Sequence, residues 1–205
     1  MKVPAVRFKN LTLALADLRQ FIVAPQHLAT GKPIARFGDM RPRELVANWL
    51  LCVAVNAAHG NDDLTFSSDP DGGDGFIVNT TTDETWPTEH VLVPPALGKA
   101  HGDAEQLILA AIQQKNTKGG AAYARGKTLV VFLDAQAGVW YANRVAQRLP
   151  VPMHFATVWV VALQTVQDGV YRYAVTNLDV TEGDAPTFVV SIALDFATWS
   201  VERRQ

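Results

Sequence analysis

Between Pro42 and Gly60 the chain carries a segment that can be stable only as a helix enclosed by the rest of the protein. Pro42 suits a helical first turn, where its missing N–H costs nothing and its φ is already correct, and Gly60 supplies the left-handed residue on which a helix ends. Inside, Leu45, Val46, Trp49, Leu50, Leu51, Val53 and Val55 occupy most of the circumference instead of a single stripe. A helix apolar all round must be covered on nearly every side. Glu44 and Asn48 are its polar exceptions, and a carboxylate at the start of so buried a helix demands a partner. The covering material exists: of 205 residues 48% are hydrophobic and 19% charged, which excludes disorder and predicts one domain, residues 1–205, with a substantial core.

The pattern around that helix predicts an α/β domain. Residues 1–40 form an N-terminal accessory segment: an opening arm, a helical pattern over 13–23, and a stretch from 25 to 43 punctuated by Pro and Gly. After the buried helix, extended runs at 64–67, 76–78 and about 88–93 are separated by Asp-Gly-rich and Thr-rich turns, which predicts a small antiparallel sheet. A second helix is signalled from about Asp103 to the Gly119-Gly120 pair. Residues 128–133, Thr-Leu-Val-Val-Phe-Leu, then read as a strand buried on both faces. Residues 135–205 add a helix at about 140–149 and strands around 155–163, 170–175 and 187–193. The expected architecture is layered, a mixed central sheet flanked by helices with extra C-terminal strands.

Charge is distributed unevenly. Residues 1–43 hold eight Lys/Arg and two Asp, whereas residues 61–90 hold eight Asp/Glu and no Lys or Arg. Outside the acidic segment the balance is basic, which leaves room for an anionic partner if metal neutralises the acidic part. Cys52, the sole cysteine, lies in an apolar run, so a disulfide framework is excluded and a reducing setting expected. The start of the chain lacks the apolar stretch of a secretory signal, and no apolar run reaches the roughly 18 residues of a membrane span. The expected location is the cytoplasm, with no membrane partner.

Several motifs fail on spacing. Gly126-Lys127-Thr128 resembles a phosphate-binding loop, but position 121 is alanine and Lys127 opens a strand instead of a helix. Asp69-Pro-Asp71-Gly-Gly-Asp74-Gly75 resembles a calcium loop, yet the sharp-turn glycine falls on Asp74 and the closing glutamate on Thr80. His27, His59, His90, His101 and His154 show no ligand spacing, and Ser67 and Ser68 lack a nucleophile's strained turn.

One constellation survives. With a hairpin turn near Thr82-Asp83, Asp74 falls opposite about residue 91 and becomes a diagonal neighbour of Glu89, so that two carboxylates converge on one hard cation. Each of Glu44, Asp74 and Glu89 alone reads equally as helix-dipole, turn or edge chemistry. In this order and spacing they resemble the restriction-endonuclease-like, PD-(D/E)XK nuclease superfamily, whose core runs helix, three strands, helix, strand. The resemblance covers about residues 41–134: Glu44 on the first helix, Asp74-Gly75-Phe76-Ile77 as the Asp-Gly step, and Glu89 as the acidic residue of the third motif. It implies a three-layer nuclease-like core and metal-dependent hydrolysis of nucleic acid, DNA more than RNA, with Mg²⁺ or Mn²⁺ held by Asp74, Glu89 and Glu44.

The family's motif lysine falls on Val91 in Glu89-His90-Val91. Some branches look as though the second helix supplies that lysine, and Ala111-Ile-Gln-Gln-Lys115-x-x-Lys118 is similar to such helices, so Lys115 would stabilise developing phosphorane charge. Charges at a helix C-terminus are the plainer reading of Lys115 and Lys118. Gln106 would orient substrate or water, and His90 should face away from Glu89. Arg7, Lys9, Arg36, Arg41 and Arg43 would contact phosphates, although a pI near 6.2 argues against tight sequence-independent DNA binding. Two other readings stand beside the nuclease: a catalytically inactive protein of the same fold acting as a binding or assembly module, and an interaction domain, including a homodimer, built on apolar strands carrying Trp159, Phe188 and Val190.

Overall fold

In the computed structural model, which describes residues 10–24, 26–94, 104–134 and 138–205, the apolar helix is α3, Pro42–His59. Gly60 closes it in the left-handed region, φ +66°, with its N–H on the carbonyls of Ala57 and Asn56. Around α3 stand two short helices, α1 (Leu11–Val23) and α2 (Gln26–Thr30), a 3₁₀ turn at Ala35–Phe37, and a sheet.

That sheet is a curled, mixed array of eight strands whose spatial order equals their sequence order. Strands β1 (Leu64–Ser67), β2 (Phe76–Asn79) and β3 (Thr85–Val93) form an antiparallel meander. A helical excursion, α4 (Ala104–Thr117) and α5 (Gly120–Ala124), then returns the chain to β4 (Thr128–Leu133), parallel to β3. Helix α6 (Ala142–Ala146) precedes β5 (Thr157–Gln167), parallel to β4. Strands β6 (Val170–Leu178), β7 (Thr187–Ile192) and β8 (Trp199–Arg203) complete the sheet by antiparallel pairing.

Helices cover both faces of the sheet, and β4 shows the division most directly. Val130 and Phe132 belong to the apolar cluster built on α1 and α3, while Leu129, Val131 and Leu133 belong to the cluster under α4 and α6. All six β4 residues are buried, as the run of apolar residues requires. The N-terminal segment is integral to the first cluster, since Leu15, Leu18, Phe21 and Ile22 of α1 are buried there. Trp49 ties the two helices together: its indole N–H donates to the Leu11 carbonyl at 2.8 Å and its ring meets Trp199 edge-on at 5.3 Å.

Four elements escape the sequence pattern: α2, α5, β8 and the first residues of β3. The Gly119-Gly120 pair ends α4 but also opens α5, with Gly119 as its N-cap residue. The expected start of α4 at Asp103 lies outside the described residues, as do Arg7, Lys9 and His101. The hairpin register also differs from expectation. Phe76 pairs with Pro87 and Val78 with Thr85, so continuing the register sets Asp74 opposite Glu89 instead of residue 91, because the Asn79 to Glu84 turn is centred on Thr81-Thr82, one residue before Thr82-Asp83.

No helix among the described residues is long and apolar enough to cross a membrane. Cys52 is fully buried and its thiol is pushed up in pKa by desolvation, which suppresses the reactive thiolate. A thiol-reactive dye should therefore leave the native chain unlabelled and label it at the rate of global unfolding, measured by quenched labelling against urea. Trp49→Ala should cost about 3–5 kcal/mol in the same denaturation, since it empties a fully enclosed site.

Candidate functional site

The first turn of α3 brings charge to the edge of the apolar core. Arg41 is the N-cap residue, and the Glu44 carboxylate reaches back to it twice, accepting from the Arg41 backbone N–H at 2.8 Å and from its guanidinium at 2.9 Å. The backbone contact is half of a capping box and explains how a glutamate 2% exposed is tolerated. Arg43 approaches the same carboxylate at 4.0 Å. Burial, followed by repulsion from Asp74, still pushes the Glu44 pKa up. The hydrogen bond to Glu44 in turn holds Arg41 above its ordinary value.

Asp74 precedes β2 because the next residue must be glycine. Gly75 has φ +114°, and a Cβ there would stand 2.8 Å from the Met40 methyl, 2.9 Å from Asn48 Nδ2 and 2.9 Å from the Ser67 carbonyl. This close approach presses Asp74 against the head of α3 and against β3. Its Oδ2 accepts from the His90 N–H at 2.7 Å, its backbone carbonyl accepts from Asn48 Nδ2 at 3.3 Å, and its Oδ1 lies 3.9 Å from Arg41.

Alternation along β3 sends neighbouring side chains to opposite faces. His90 points to the α3 face, where its Nε2 meets Asn48 Oδ1 at 3.0 Å, so Nε2 is the donor and Nδ1, buried without a partner among the described residues, is the bare acceptor. Burial and then the Arg43 charge lower its pKa to about 3, which keeps the ring neutral. Glu89 points to the α4 face. There Lys115 of α4 donates directly to Glu89 Oε1, and the Tyr123 phenol of α5 also bonds Glu89. Burial and the Glu89 contact push the Tyr123 pKa up, so it remains a donor, and Lys127 sits over its ring at 3.9 Å.

The expected residues are thus gathered around one end of the α3–β2–β3 junction. Continuing the β2–β3 register sets Asp74 opposite Glu89, and both carboxylates act electrostatically on Arg41 and on Tyr123. Glu44 is engaged by arginine instead of standing open to a metal. Lys118 and Gln106 are exposed, and Lys118 makes no ion pair among the described residues. Val91 packs with the apolar cluster under α4. Tyr123, Arg41 and Arg43 complete the site; only the arginines had a signal in the sequence, because Tyr123 sits on a helix that the glycine pair conceals.

Among the described residues no group of three or more His, Cys, Asp or Glu side chains is disposed to hold a metal ion. Asp74 and Glu89, opposite one another in the continued register, are two carboxylates, the number that Mg²⁺ ordinarily takes from protein while keeping water and phosphate oxygens. Asp74 Oδ2 accepts from the His90 N–H and its Oδ1 lies 3.9 Å from Arg41, while Glu89 takes Lys115 on Oε1 and the Tyr123 phenol besides. Carboxylate oxygens are the donors a hard divalent cation takes, so Asp74 and Glu89 are the residues that would hold one, in exchange for part of these contacts. Compared with protein-family models, with curated proteins and with solved structures, the chain matches none.

Lys115 and Glu89 are both largely buried, so removing either strands the other's charge. Lys115→Met and Glu89→Gln should each cost about 1–3 kcal/mol, and the double variant should cost less than their sum by about 1 kcal/mol or more, read in a urea double-mutant cycle.

Proposed function

We propose that the chain is a divergent divalent-metal-dependent nuclease with a restriction-endonuclease-like core, hydrolysing phosphodiester bonds in DNA in preference to RNA. The observation that carries this reading is the contact between Lys115 of α4 and Glu89 of β3. It puts a lysine from the second helix beside the acidic residue of the strand whose own third-motif position is Val91. The element order from α3 through the β1–β3 meander and α4 to a β4 parallel to β3 supports the same reading.

In this reading Asp74 and Glu89 would hold Mg²⁺ or Mn²⁺, which would supply Lewis-acid charge neutralisation and an activated water. In the hydrolysis the water oxygen would bond to phosphorus as the bond from phosphorus to the leaving sugar oxygen breaks, one water proton going to that oxygen and the other to the phosphomonoester or solvent. Lys115 donates to a non-bridging phosphate oxygen as negative charge grows there, worth more in a partly buried site than in water. Its exchange from Glu89 to phosphate would release Glu89 Oε1. Tyr123, kept protonated, holds the Glu89 carboxylate in position while this occurs. Arg41 and Arg43 lie at the head of α3 to receive a neighbouring phosphate, and Glu44 holds Arg41 by two hydrogen bonds.

A second reading, a nucleic-acid-binding or assembly module without catalysis, is favoured by one observation. Glu44, Asp74 and Glu89 are all engaged by Arg41 or Lys115, so the site is electrically balanced without metal. The two readings separate on cleavage of plasmid, linear and single-stranded DNA and of RNA with Mg²⁺ or Mn²⁺. Wild type should cleave DNA in metal and stop on chelation. Asp74→Asn and Lys115→Met should each lose about 100-fold or more in rate while remaining folded. Absence of cleavage together with absence of calorimetric Mn²⁺ binding would sink the nuclease reading and leave the module.

A further inference from the structure

The face of α3 turned to the sheet changes character along its length. Glu44, Asn48, Leu51, Val55 and His59 recur at intervals of three and four residues and so form one stripe. The first two belong to the polar site. The last three roof a separate cleft of about 320 Å³, whose floor includes Trp86 and Trp159 and whose walls come from β1 and β2. The Asn48–His90 pair stands between the two regions on this face. Some 11 residues of helix, roughly 16 Å at 1.5 Å per residue, separate Glu44 from Val55.

Three properties of the cleft restrict what it can hold. Its volume lies within the range of small-molecule sites, and its apolar lining joins the indoles of Trp86 and Trp159 to the aliphatic side chains of Leu51, Val55, Leu64 and Ile77. Among the described residues, no Asp, Glu, Lys or Arg side chain lines it, and His59 is the one ionisable side chain there, which favours an uncharged ligand. The polar lining is nevertheless unsaturated. Asn79 Oδ1 accepts from the Thr81 and Thr82 N–H groups, which leaves its amide N–H₂ without an acceptor. Asn61 gives its N–H₂ to Asp63, which leaves its carbonyl oxygen free to accept. Thr157 donates to Thr128 at 3.0 Å, so the Thr128 hydroxyl hydrogen is unspent. An aliphatic chain would leave these groups unanswered; a ring carrying both donors and acceptors on its edge would answer them.

We propose that this cleft is a binding site for an uncharged planar heteroaromatic ring of nucleobase type, packed against Trp86 and Trp159 with its polar edge toward Asn61, Asn79 and Thr128. The site is distinct from the carboxylate cluster, and its occupancy does not rest on catalysis there.

The decisive experiment follows the indole N–H signals of the full chain by ¹H–¹⁵N NMR, assigned by single Trp→Phe variants. Adenosine, guanosine, cytidine and thymidine serve as probes, with uncharged 1-hexanol as the aliphatic comparison. At least one nucleoside should shift the Trp86 and Trp159 signals saturably with Kd below about 1 mM, leaving Trp49 unmoved. Val55→Phe, which fills the cleft from α3, should weaken that nucleoside at least tenfold while the Trp49 signal reports an intact core. A trinucleotide of the preferred base, run beside the nucleoside, distinguishes a strand from a free nucleoside, and saturable binding of either supports the ring site. Saturation by none of the nucleosides, with or without saturation by 1-hexanol, would overturn the proposal, as would equal nucleoside affinity in folded Val55→Phe. The wild-type comparison of nucleosides with 1-hexanol stands even if that variant does not fold.

Discussion

The burial of α3 on all sides is the constraint from which the rest of the architecture follows. A helix with one apolar stripe can rest on the edge of a sheet, but α3 needs cover from several directions. The curled sheet supplies it from β1, β2, β4 and β6 to β8, and α1 closes the remaining side through Leu15, Leu18 and Ile22. Keeping the spatial order of the strands identical to their order in the chain makes this curl simple to reach, since each strand is laid beside the one before.

Polar groups on such a helix must then be satisfied where they are, and this is what concentrates chemistry at its N-terminal end. Glu44 is held by Arg41, Asn48 spans from the Asp74 carbonyl to His90, and Asn56 makes a reciprocal pair of hydrogen bonds with the backbone of Leu64. Two of the three asparagine and glutamate contacts bear on Asp74 or its neighbours. Gly75 makes that possible, because its missing side chain is what lets the strand approach Met40 and Asn48. The Asp-Gly step thus has a packing reason independent of any reaction, and the same packing fixes the Asp74 carboxylate against the His90 N–H.

Much of this was legible in the residues. The α3 boundaries, the meander, the buried β4 and the separation of Glu89 from His90 onto opposite faces follow from periodicity, from Pro42 and Gly60, and from strand alternation. What the sequence hid has identifiable causes. Gly119-Gly120 reads as a stop, yet it starts a helix, so Tyr123 was invisible as a partner of Glu89. Trp199 and Val201 alternate correctly for a strand, but a segment of five residues at a chain's end carries too little pattern to declare β8. The hairpin register was set two residues off because loop residues Asn79 to Glu84 close by side-chain bonds from Asn79 and Thr82, which periodicity does not reveal. Glu44 as an arginine-bound capping residue is a fourth case: its position signalled a need for a partner, not which partner.

Val91 and Lys115 show how a strand carboxylate can be met by a cation from a neighbouring helix instead of from its own strand. Val91 shares the α4 face of β3 with Glu89 and Val93 and is packed into the apolar cluster there, so a lysine at that position would have to bury its stem among Ile108, Ile112 and their neighbours before its ammonium could reach Glu89. Lys115 approaches the same carboxylate from the far end of α4, where the helix is only half-buried and the macrodipole favours a cation. The cation is therefore delivered at lower cost from the helix than from the strand. A pattern that demands the lysine two residues after the glutamate would pass over this arrangement, although the charge that faces Glu89 is the same.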